Sequence, residues 1–180
     1  MHSLLIALLA LNAPHPAMVD SCTELVPKPL ARMLEQRFPD TRLPLVTDSL
    51  VEDRGYTASK GNACLLIARA DFDGDGRSDF VLLLPAKTGK DYHLVVALNK
   101  PSGFKVTEIG SWTEPVTGLF VDTAPPGTYT HTNDYEFQPE PGVAERIVSS
   151  HEGFYFGRVE AAADVYFLDH GQWRRVHTID

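Results

Sequence analysis

The chain has 180 residues, 43% hydrophobic and 22% charged, and carries a formal net charge of -8. Those proportions suit one globular domain with a real core and exclude a disordered or collagen-like chain. The acidic balance, with no basic cluster, also excludes a nucleic-acid binder, because such a surface repels a phosphate backbone.

The first segment, MHSLLIALLALNAPHPAMVDSC, holds an apolar run from Leu4 to Leu11 and no charged residue before Asp20. That run is too short to span a bilayer and has the length of a secretory signal core. A leader over residues 1–19 is therefore expected, leaving a single β-rich domain over 20–180 that is periplasmic or secreted and has no transmembrane segment. The chain's two cysteines, Cys22 and Cys64, then form an even set in an oxidising compartment, which favours a disulfide over two separate buried thiols.

From Pro27 to Phe38 the apolar residues Leu30, Met33, Leu34 and Phe38 recur at helical spacing, with Pro39 just beyond. One short amphipathic helix is predicted there. The next stretch, to about residue 63, is mixed and punctuated, and reads as a connection with one short strand near Leu45. Then come CLLIARA, DFVLLLPA, YHLVVALN and FKVTEIGS, separated by DFDGDGRS, KTGKD and KPSG, which is the pattern of a meander. Further strands are predicted in VTGLFVD, AERIVSSH, FYFGRVE, ADVYFLDH and QWRRVHTI, the last two joined by a tight turn at Asp169, His170 and Gly171. The fold class is accordingly mainly β (α+β), an antiparallel meander with one short N-terminal helix. Residues 123–142, rich in proline, read as a long irregular segment, and loops of that length are often functional.

The turn DFDGDGRSD places Asp71, Asp73, Asp75 and Asp79 at positions 1, 3, 5 and 9, with Gly74 and Gly76 allowing the chain to curl. Hard oxygen donors at this spacing suit Ca²⁺, and the carbonyl of Arg77 at position 7 would complete the ring. Without a cation, two carboxylates 4 Å apart repel by about 4 kcal/mol at an effective dielectric near 20, before solvent reduces it. An EF-hand requires Glu at position 12, where this chain has Leu82 within a strand-like run, and the second loop of a dockerin is missing. The order strand, D-x-D-G-D-G-x-x-D, strand instead resembles the calcium loop of FG-GAP and VCBS-type repeats, over about residues 63–110. That resemblance implies one or two propeller-like blades and a structural Ca²⁺. A propeller repeats its blade, whereas this chain has one such loop, so other elements must cap it. The layout of leader, helix, single calcium loop and further strands is also similar to periplasmic inhibitor and immunity proteins, and implies a partner that is another protein, such as a basic cell-wall-degrading effector.

No catalytic residue is assigned. His151 and Glu152 open like a zinc-protease helix, but Tyr155 stands where the second histidine is required, and no nucleophile elbow, Walker loop or dinucleotide-binding pattern is present. His131, Asp134 and Glu136 form the best remaining polar group, so the alternative function is a cell-wall or carbohydrate-active hydrolase with its site on the 123–142 segment. Under the leading expectation, a calcium-stabilised protein-binding module, that same segment offers Tyr129, His131, Tyr135 and Phe137 as partner-binding anchors. The net charge favours a basic partner.

Overall fold

A computed structural model describes residues 20–58, 64–132 and 136–178 of the chain. The leader expected over 1–19 lies outside these residues, as do Asp134 and Tyr135. Helix α1, Ser21–Leu25, starts where the Asp20 carboxylate accepts the backbone N–H groups of Cys22 and Thr23, which satisfies donors that have no partner within the helix. Helix α2, Lys28–Arg37, has proline in its first turn and buries Leu30 and Leu34, as its apolar spacing predicts.

Residues 46–58 depart from the expected connection. Val46–Asp48 forms a 3₁₀ turn and Val51–Ala58 a third helix, α3, and no strand forms near Leu45. Local polar bonds hold this stretch: Asp48 accepts the Leu45 N–H and both terminal guanidinium nitrogens of Arg42, while Arg54 donates to the Ser49 carbonyl. Val51 is 72% exposed. An eight-residue helix whose first residue faces solvent leaves little periodic trace in the sequence.

The first sheet is an antiparallel meander of β1 (Ile67–Ala70), β2 (Asp79–Pro85), β3 (Tyr92–Lys100) and β4 (Gly103–Trp112). Every residue of β2 is buried, because both faces of the strand are covered. One face carries Leu84 opposite His93, whose ring lies 5.5 Å from Phe38 beside α2. The alternate face presents Leu83 opposite Leu94, and Tyr92, next along β3, turns to the second sheet. That sheet has the order β10-β9-β8-β5, built from β5 (Leu119–Ala124), β8 (Gly153–Arg158), β9 (Ala163–Asp169) and β10 (Gln172–Thr178). At the β9–β10 turn His170 and Gly171 both have positive φ, 49° and 80°, as a tight two-residue hairpin requires. The Val121 N–H donates to the Leu65 carbonyl at 2.8 Å, so β5 lies beside the start of the first sheet. One hydrophobic core runs from α2 through both sheets.

Two further strands, β6 (Gly127–Thr130) and β7 (Arg146–Ser149), pair antiparallel outside the second sheet. β6 lies in the segment read from sequence as irregular. A second, smaller core of Ala124, Ala144, Ile147, Val165, Phe167 and Val176 binds this hairpin to the sheet. Cys22 and Cys64 are joined in a disulfide that pins α1 to the residue just ahead of β1's approach, with Cα atoms 5.1 Å apart. Among the described residues no helix is long and apolar enough to cross a membrane.

Candidate metal centre

The acidic turn joins β1 to β2. Asp71 shapes it: Oδ1 accepts the Asp75 N–H at 3.0 Å and Oδ2 the Gly76 N–H at 2.8 Å. Gly74 and Gly76 have φ of 72° and 81°, a left-handed backbone that side chains resist. A Cβ on Gly74 would also lie 3.5 Å from that of His151. Asp79 opens β2 and is completely buried, accepting the N–H groups of Phe72 (2.9 Å) and Asn99 (2.7 Å).

Ligand oxygens of Asp71, Asp73 and Asp79 all lie within 4.8 Å of one another. The side chain of Asp73 is 7% exposed; its Oδ2 accepts a hydrogen bond from Lys100 Nζ, and its Oδ1 is buried and bonded to nothing. A buried carboxylate oxygen in that condition is costly unless a cation satisfies it. Three convergent carboxylates with one orphaned oxygen form a donor set fitted to a hard divalent cation.

Asp75, expected to be a fourth ligand, stands apart from this group. Its carboxylate accepts from Lys100 Nζ at 2.9 Å and from the Arg77 guanidinium at 2.7 Å, while its Oδ1 accepts the Arg77 backbone N–H at 3.0 Å. Arg77 also donates from Nε to the Asn99 carbonyl. The hydrogen bond from Lys100, then those from Arg77, hold the Asp75 carboxyl down to about 2. Asp79 moves the other way: burial first, and the charges of Asp73 and Asp75 after it, outweigh two backbone hydrogen bonds and push it up to about 6.

Two participants were not anticipated from the sequence. Lys100 follows from the meander itself, because the β2–β3 register pairs Phe80 with Ala97 and so carries the end of β3 over the turn. Glu152 has no such signal. Its Oε2 accepts the Asp71 N–H at 2.9 Å across 81 residues. His151, beside it, sets its ring nitrogens 3.0 Å from the Glu152 carbonyl and 3.1 Å from that of Leu168. The His-Glu pair braces the acidic turn just ahead of β8, where a zinc-protease motif requires a helix.

Of the expected partner anchors, Tyr129, His131 and Phe137 are among the described residues. Tyr129 packs inward on β6, its ring 5.1 Å from Phe167 and its hydroxyl donating to the Pro125 carbonyl. His131 and Phe137 meet at 5.4 Å, with the His131 ring 6.3 Å from His177; Glu136 is exposed. A second polar group unanticipated from sequence lies behind them: Asp164, with a side chain 12% exposed, binds Arg175 at 2.6 Å and lies 2.6 Å from His177 Nδ1. Register explains it, since the 170–171 turn places His177 opposite Asp164.

No protein-family model, curated protein or solved structure matches the chain. The chemistry of the centre rests on its own donors.

Proposed function

We propose that the chain is an exported protein-binding module, stabilised by one Ca²⁺ in the acidic turn and acting as a periplasmic inhibitor or immunity-like protein. The observation that carries the calcium site is the unbonded, buried Asp73 Oδ1 beside Asp71 and the wholly buried Asp79. Ca²⁺ suits it better than Mg²⁺, because its coordination is irregular and it gives up water more readily. A disulfide belongs to an oxidising compartment, where calcium is plentiful, and supports export.

Support for a protein partner comes from the hairpin. Anchored on the smaller core, β6 and β7 turn Thr128, Thr130, Arg146 and Val148 outward, and Val148 is 69% exposed. A preorganised strand pair loses little freedom on binding. The net charge of -8 favours a basic partner through faster encounter. Calorimetric titration tests the ion: the wild type binds one Ca²⁺ and Asp73→Ala binds none. Capture from envelope extract tests the partner: one basic protein is retained in stoichiometric amount by the wild type and lost with Val148→Asp, whose melting temperature is unchanged. Capture that survives this substitution removes the hairpin from the reading, and absence of any partner removes the reading itself.

Lys100 supplies a further expectation. Its ammonium neutralises Asp73 and Asp75 and thereby competes with the ion. Lys100→Met should tighten Ca²⁺ binding roughly threefold to fivefold, the scale of a part-exposed ion pair. Weaker binding in this variant would mean that Lys100 shapes the turn instead.

A further inference from the structure

The two sheets approach through β1 and β5, whereas β4 and β10 end their sheets and do not pair with each other. Between these terminal strands the core opens into a cavity of about 490 Å³, walled by Thr107, Ile109 and Trp112 on one side and Tyr166, Trp173 and Arg175 on the other. A second hollow of about 270 Å³ shares Trp112, Tyr166 and Arg175 with it and continues to Arg158 and His177. Clefts of this size commonly take small molecules.

The walls are held in place before anything binds. Trp112 stacks on Tyr92 at 5.3 Å and leans on Phe156 at 5.3 Å; Trp173 rests against Phe154 at 5.3 Å and Phe72 at 6.4 Å. Each indole thus has packing behind it and contributes to the cleft. Two ion pairs lie along it, Asp164 with Arg175 and Glu114 with Arg158, while ring nitrogens of His177 and His93 lie against Asp164 and Glu108. Glu114 also accepts from the Tyr92 hydroxyl at 3.2 Å.

The two ion pairs leave directional donors and acceptors, and the further carboxylate of Glu108 disfavours an anion. An anionic ligand would compete with Asp164 for Arg175 and strand a carboxylate whose side chain is only 12% exposed, which is expensive. A purely apolar ligand would cover the Asp164–Arg175 group without replacing its water, which is also unfavourable. A ligand with hydroxyls around its rim and flat C–H faces avoids both costs, setting its faces on the indoles and its hydroxyls on the paired groups. From this combination we infer that the cleft between β4 and β10 binds a short neutral saccharide. The inference does not depend on the metal centre or on a protein partner.

The chain's two tryptophans both line this cleft, so its indole N–H signals report on the site alone. The full-length mature protein, labelled with ¹⁵N, is titrated to millimolar concentrations of cellotriose, maltotriose and tri-N-acetylchitotriose. Both indole signals are expected to shift together and saturate with at least one of these sugars. Truncating either tryptophan risks the core, so the control is Thr107→Arg, which fills the cleft from its half-buried wall. That variant should bind at least about tenfold more weakly, with an unchanged melting temperature. Indole signals that stay still with all three sugars overturn the inference, as does undiminished binding by Thr107→Arg. Tighter binding of tri-galacturonate than of any neutral sugar overturns the assignment to a neutral ligand.

Discussion

Calcium added to the chelated protein is expected to raise its melting temperature at neutral pH, and the gain is expected to shrink as the pH falls through about 6. The cause is Asp79, fully buried, whose carboxyl is raised from an ordinary 3.8 to about 6 in the ion-free fold. A carboxyl raised by folding holds its proton more tightly in the folded state than in the unfolded one. Its stabilising contribution is therefore fully present below the unfolded value and lost as the pH rises through the folded one. Above pH 6 the ionised, ion-free Asp79 costs on the order of 3 kcal/mol. Calcium acts in the opposite direction, because it binds the carboxylate and not the acid. At a hundred times its dissociation constant it contributes about 2.7 kcal/mol, or roughly 5 to 10 °C in a chain of this size. Thermal scans from pH 5 to 7.5, with calcium and with chelator, check this, and Asp79→Asn should remove both the calcium response and this group's share of the pH dependence. A calcium gain that does not vary over that range would refute the role given to Asp79.

Loss of the Cys22–Cys64 bond should lower stability by about 4 kcal/mol on the chain-entropy account. The bond closes a loop over a sequence separation of 42, and both cysteines are almost wholly buried. Opening it frees α1 and the segment leading to β1 in the unfolded state, so the unfolded ensemble gains more freedom than the native one. The double variant Cys22→Ser, Cys64→Ser should melt roughly 8 to 16 °C lower, and the oxidised wild type should show no alkylatable thiol by mass spectrometry. Because neither cysteine lies in the acidic turn, the variant should keep its calcium response at temperatures where it stays folded. An equal denaturant midpoint for oxidised and reduced protein would contradict the stabilising role.

The elements legible in the sequence are those whose signals lie in neighbouring residues. Leu30 and Leu34 recur at helical spacing and become the buried face of α2; the runs around Phe80 and Val95 become central strands; and the aspartates of one nine-residue turn gather three carboxylates because the backbone there curls locally. The cysteine pair was equally readable, since the number of thiols and the expected compartment constrain it. Tertiary structure decided what depends on distant residues. Asp75 turns from the carboxylate group because Lys100, one strand away, and Arg77 take its oxygens; Glu152 reaches Asp71 only because the two sheets pack together. Tyr129 belongs to a core rather than to a protruding loop because β7, some twenty residues on, supplies its pairing strand. The cleft of Trp112 and Trp173 arises where β4 and β10, sixty residues apart in the chain, fail to close the layers. Periodicity records which face of an element is buried, but not which element covers it, and that choice is made by the register and packing of the whole chain.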